Sequence, residues 1–87
     1  MRAEDVLPDH INYDQFNGVT IRKGTVAAFL ANARIFLDPA TAAVNREEIE
    51  SEMIAALPAL NALGLLDLFE ARSLVLRAFV AQHLPQP

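Results

Sequence analysis

The sequence predicts a mainly helical α+β fold: three main helices, a short broken helical piece and an N-terminal β-hairpin. Three observations carry this prediction. Apolar residues recur at i, i+3, i+4 and i+7 through most of the chain after residue 25. An Asn17-Gly18 pair stands between two short runs of strand formers. The stretch Leu65 to Leu84, LLDLFEARSLVLRAFVAQHL, is apolar around most of a helix's circumference. Such a helix must be covered on several sides, so it is expected to be the central one. The competing arrangement is an all-helical bundle with a disordered N-terminal third.

Taken in order, residues 1–10 carry Pro8 and several charges without periodicity, and read as a loosely docked tail. Residues 11–23 read as the hairpin. With Asn17-Gly18 as a type I′ turn, both central residues take positive φ, which these two residue types tolerate. The register then sets Phe16 opposite Val19, Gln15 opposite Thr20, Asp14 opposite Ile21 and Tyr13 opposite Arg22. Phe16, Val19 and Ile21 share the face that can lie on helices, because a lone hairpin is marginal in water. Tyr13 and Arg22 share the other, where ring and guanidinium can stack. The alternative for this segment is one short strand with an irregular loop.

A first helix is expected over 25–37, with Thr25 as N-cap and Asp38-Pro39 as its stop. Val26, Phe29, Leu30, Ala33, Phe36 and Leu37 form its inward stripe, with Ala28, Asn32 and Arg34 nearer the outside. Asn45 with Glu48 makes a capping-box pattern for a second helix over 45–57, whose inward stripe is Ile49, Met53, Ala56, Leu57 and Leu60. Pro58 removes a backbone donor and clashes with the preceding turn, so a break is expected there, with a short piece over 58–63 and a stop at Gly64. Asp67 and Glu70 make another capping box, opening the central helix over 67–84. Residues 85–87, Pro-Gln-Pro, should be unstructured.

The chain has 87 residues, 53% of them apolar and 21% charged, with no cysteine and a net charge of −4. This bounds it to one domain, expected over 11–84, that buries roughly 60–65% of its unfolded surface. Disulfides and thiolate metal sites are excluded. An acidic balance argues against nucleic acid as a partner, since that requires clustered cations to replace counterions. No stretch is long and apolar enough to span a bilayer, and no signal peptide is discernible, so a cytoplasmic protein without a membrane partner is expected.

The run FNGVTIRKGTVAAFLANA resembles segments of small uncharacterised bacterial proteins grouped as a domain of unknown function. The resemblance covers Tyr13 to Phe36 and the spacing of the later helices. It implies a free-standing bacterial protein and carries no catalytic motif.

A search for chemistry finds little. The serines are Ser51, set among Glu48, Glu50 and Glu52, and Ser73, in a helix without a glycine-rich elbow. An acidic helical chain of this size invites comparison with acyl carrier proteins, but Ser73-Leu74 follows Arg72 and lacks their Asp-Ser-Leu motif. His10 and His83 stand at opposite ends and make a poor metal pair. Glu47, Glu48, Glu50 and Glu52 could supply paired carboxylates, yet no apolar residues interleave them to raise a pKa, and a solvated helix face is the simpler reading. One constellation remains. Arg22, Lys23, Gly24 and Thr25 set two cations, a glycine and a hydroxyl directly before a helix N-terminus, where free N–H groups favour anions.

The sequence therefore points to a non-enzymatic protein-interaction domain without a cofactor. Tyr13, Arg22, Glu47, Glu48, Glu50 and Glu52 are its candidate contacts with an unidentified protein partner. The alternative is a binder of a small phosphate-type anion at Arg22, Lys23, Gly24 and Thr25.

Overall fold

The computed structural model describes Arg2, Asp5 and residues 10–84. It has an N-terminal antiparallel hairpin, β1 (Tyr13–Phe16) and β2 (Val19–Arg22), followed by four helices among the described residues: α1 (Thr25–Leu37), α2 (Ala43–Ala62), α3 (Leu65–Leu68) and α4 (Leu74–His83). The fold is thus α+β and mainly helical, as the periodicity predicts. Most of the expected N-terminal tail, and the unstructured end expected over 85–87, lie outside the described residues.

The hairpin forms in the predicted register, Phe16 opposite Val19 and Tyr13 opposite Arg22. Asn17 (φ 50°) and Gly18 (φ 80°) both occupy the left-handed region that a type I′ turn requires. The Lys23 N–H donates to the Asn12 carbonyl at 2.6 Å, extending the ladder past both strand ends. Ile21 is buried and Phe16 and Val19 are half-buried, so the apolar face does lie on helix, against α2. The turn is also tied down from outside: Asn17 Nδ2 donates to the Ala62 carbonyl at 2.6 Å. That carbonyl belongs to the last turn of α2, where no intrahelical partner exists.

Helix α1 has the expected bounds, but its cap differs. Gly24 (φ 88°) is the N-cap and no side chain caps the helix. The Thr25 hydroxyl instead donates to the Arg22 carbonyl at 2.7 Å, closing the corner between strand and helix. The inward stripe is also narrower than the spacing suggests. Phe29 and Ala33 are buried and Phe36 is half-buried, whereas Val26, Leu30 and Leu37 face water.

The second helix runs unbroken from Ala43 to Ala62 with Pro58 inside it, replacing the two pieces expected over 45–57 and 58–63. Pro58 and Ile54, whose carbonyl loses its donor, are both exposed, so water can satisfy the orphaned acceptor. On the opposite face Met53, Leu57 and Leu60 are completely buried, and their packing carries the helix through the defect. The Asn45–Glu48 capping box does not form. The helix begins two residues before Asn45, after Ala42, without a side-chain cap. The approach is fixed instead by Asp38 Oδ1 accepting from the Ala40 N–H at 2.9 Å and by the Thr41 hydroxyl donating to the Ile35 carbonyl at 2.7 Å.

The largest departure concerns the stretch expected as one central helix over 67–84. The chain turns once as α3, leaves helical geometry at Phe69 (φ −128°, ψ 150°), and restarts as α4 at Leu74. Asp67 and Glu70 form no capping box. Ser73 does the capping, its hydroxyl accepting from the Leu76 N–H at 3.2 Å. The one stripe of α2 is already shared with α1 and the hairpin, and only the second half of the stretch adds a buried residue to the core. The break lets α4 turn back and lay Phe79 in the core, its ring 5.0 Å from Phe36 and tilted by 50°. The centre is α2, whose one stripe meets α1, α4 and the hairpin together. Among the described residues no helix is long and apolar enough to cross a membrane.

Candidate functional site

Two groups of residues that the sequence keeps apart meet in one open hollow of 430 Å³ between β2, α1 and α2. Arg22 and Thr25 reach it from the strand-to-helix corner, Asn32 from α1 and Glu52 from α2. Alanines make the space: Ala28, Ala55 and Ala59 line its walls where larger residues would fill it. Asn32 Nδ2 donates to Glu52 Oε2 at 3.2 Å and fixes the carboxylate at the rim. Among the described residues the Arg22 side chain makes no hydrogen bond or ion pair.

The anion constellation is therefore only partly assembled. Gly24 gives α1 an uncapped N-terminus and Arg22 stands beside it, as the sequence suggests. Thr25 is engaged by the Arg22 carbonyl, and Glu52 places a negative charge in the same hollow. An anion entering here is attracted by the guanidinium and repelled by the carboxylate.

The acidic residues do not form one face. At about 100° per residue, Glu47 and Glu48 point to water on different sides of α2. Glu50 is half-buried, and Glu52 turns into the hollow. Tyr13 is exposed opposite Arg22 in the register, yet ring and guanidinium do not stack among the described residues. Arg22 is drawn toward the hollow instead. His10 is exposed, while His83 packs its ring 4.6 Å from that of Phe79. Among the described residues no three His, Cys, Asp or Glu side chains gather in a way that could hold a metal ion.

Sequence reasoning missed a larger feature. Around the break between α3 and α4, Leu68 is 81% exposed, Phe69 66%, Leu74 73% and Val75 62%. The Arg77 guanidinium holds the connection's shape, donating from Nε to the Ala71 carbonyl at 3.1 Å and pairing with Glu70 at 3.4 Å. Beside it lies a hollow of 220 Å³ whose apolar wall includes Leu66, Phe69, Val80 and Leu84. On the other side, Val75 joins Phe36, Leu37 and Pro39 around a second hollow of 420 Å³. Arg46 reaches into that second hollow with one guanidinium nitrogen on the Asp38 carbonyl at 2.9 Å, while its buried Nε has no hydrogen-bond partner among the described residues. The signal for this surface was present in the composition. A chain of 87 residues that is 53% apolar carries more apolar side chains than so small a core can enclose.

No family model, curated protein or solved structure matches the chain.

Proposed function

We propose that the protein is a non-enzymatic interaction domain, and that it meets its partner through the apolar surface around the α3–α4 connection rather than through its acidic residues. The observation that carries this reading is the exposure of two apolar pairs, Leu68–Phe69 and Leu74–Val75, at the two ends of the connection. Scattered single apolar residues are ordinary on a surface, but a cluster of this kind marks a contact site. The outer side of α1, with Val26, Leu30 and Ile35 exposed, is a second apolar surface on the same molecule. The test compares affinity capture by the native chain with capture by Leu74→Glu and by Leu30→Glu. Both sites are exposed, so each variant should stay within about 0.5 kcal/mol of native stability. Loss of captured protein from Leu74→Glu alone supports the reading; an unchanged set from both variants defeats it.

The second reading is a small anion held at Arg22, Lys23, Gly24 and Thr25, favoured by an Arg22 guanidinium that has no partner among the described residues and stands beside a helix start with no side-chain cap. Phosphate should then shift the amides of residues 22–28, and should do so less at high salt. The Arg22→Gln/Lys23→Gln variant should show no shift. Equal shifts in native and variant chains would reject this site.

A further inference from the structure

Asn17 and Gly18 set a nucleophile and an electrophile on adjacent residues. The Gly18 N–H makes no hydrogen bond among the described residues. The glycine is exposed, and nothing lies within 4 Å of the place a Cβ would take. The carbon of the Asn17 side-chain amide belongs to the residue just before it, so attack by that nitrogen closes a succinimide ring within the chain. The other asparagines lack this opening. Asn32, Asn45 and Asn61 lie inside α1 and α2, where the helical ladder holds the next N–H. Each of these, like Asn12, precedes a residue whose side chain crowds that nitrogen.

The same amide is what docks the hairpin. Asn17 Nδ2 donates to the Ala62 carbonyl at 2.6 Å, at the end of α2 where the helix dipole is negative. While that bond is made, the side chain is committed to the helix and is not free to turn its carbon toward Gly18. Docking and ring closure therefore compete for one side chain.

We propose that Asn17-Gly18 is a self-modification site, at which spontaneous deamidation of Asn17 releases the hairpin tip from α2. The Gly18 nitrogen gives up its proton to water and bonds to Asn17 Cγ. The Cγ–Nδ2 bond breaks, and Nδ2 takes a proton and leaves as ammonia. Water then opens the ring on either side of the nitrogen. The product is aspartate, or isoaspartate with the backbone rerouted through the side chain. In total a water is consumed and an ammonia released, with no change of oxidation state. Both products lose the donor, and a carboxylate now meets the Ala62 carbonyl as acceptor against acceptor, at the negative end of a helix. Isoaspartate also adds a methylene to a turn whose register depends on positive φ at both central residues. Neither product can dock again, so the release runs one way. It needs no partner and stands apart from the interaction reading above.

The experiment incubates the full chain, folded in neutral buffer and unfolded in urea, and follows both by peptide-mapped mass and by amide and through-space NMR spectra. The expected result is amide-to-acid conversion at Asn17 ahead of the other asparagines, with isoaspartate among the products. Conversion should be several-fold slower in the folded chain than in the unfolded one. The converted chain should lose the through-space contacts between residue 17 and Ala62 while keeping those between Phe36 and Phe79, which report the core. Asn17→Asp, made directly, should lose the same contacts without incubation. A folded chain that shows no conversion at Asn17 over many half-lives of the unfolded one overturns the site. Equal rates in the two states overturn the competition between docking and ring closure. A converted chain, or an Asn17→Asp chain, that keeps the contacts to Ala62 overturns the release.

Discussion

Asn17 combines two demands that the sequence reveals only singly. Its positive φ is legible from the Asn-Gly pair, because few other residues accept that geometry. Its side-chain bond to Ala62 is not legible, since nothing in local sequence says which carbonyl lies nearby in space. Asn17→Gly separates the two, keeping the turn and removing the donor. It should lower stability by about 0.5–1.5 kcal/mol, the usual net worth of one hydrogen bond, as read from denaturant midpoints; no loss would mean that the bond is replaced by water at no cost. Phe79 offers the contrasting case of a residue whose role the apolar pattern does reveal. Its burial follows from its being the largest residue on its stripe, and of the two phenylalanines on the α1 stripe, Phe29 and Phe36, it is Phe36 whose ring it meets. Phe79→Ala should cost about 3–5 kcal/mol, and a loss under about 1 kcal/mol would make α4 peripheral to the fold. The candidate site was half legible in the same way. Arg22 and Thr25 announce themselves before a helix, but Asn32 and Glu52 join them only through the packing of α1 on α2.

Among the elements, those with strong local punctuation are the ones read correctly. Gly24 and Asp38-Pro39 bracket α1, and Asn17-Gly18 places the hairpin. Where local rules and packing disagree, packing wins in both directions: it carries α2 through Pro58 and it breaks a good helical sequence at Phe69. The first case predicts that Pro58→Ala stabilises the protein. Restoring the donor to Ile54 and relieving the ring's clash is worth about 3 kcal/mol, less about 1 kcal/mol for the freer unfolded chain, so the thermal midpoint should rise. A fall would mean that the proline shapes α2 to fit its neighbours. The second case predicts uneven local stability. Helix α4 is held by Phe79 and by half-buried Leu76, Val80 and His83, whereas α2 has Met53, Leu57 and Leu60 wholly enclosed. Amides of Phe79–His83 should therefore exchange with solvent through smaller openings than those of Met53–Leu60. Equal exchange free energies would show that the two helices open only together.

At the scale of the whole molecule, total apolarity proved a poor guide to the centre. Leu65 to Leu84 is the richest apolar stretch, yet much of it faces water, while α2 has a polar outer face and one stripe touched from three sides. Periodicity measures how much a helix could bury; how much it does bury depends on how many neighbours reach it, and a chain of this length supplies few. The same shortage of neighbours gives the Asn17–Ala62 bond a consequence for the order of events in folding. The β1–β2 pairing and the α1–α2 packing both join segments adjacent in sequence and close short loops, whereas this bond spans 45 residues. Contacts between distant segments require more chain to be ordered first, so the hairpin tip should dock on α2 after the rate-limiting barrier has been crossed. Asn17→Gly should then leave the refolding rate untouched and place its whole effect on unfolding, about fivefold faster for each 1 kcal/mol lost. A slowed refolding limb would instead put the tip of the hairpin on α2 already in the transition state, making this one side chain a clamp around which the rest condenses.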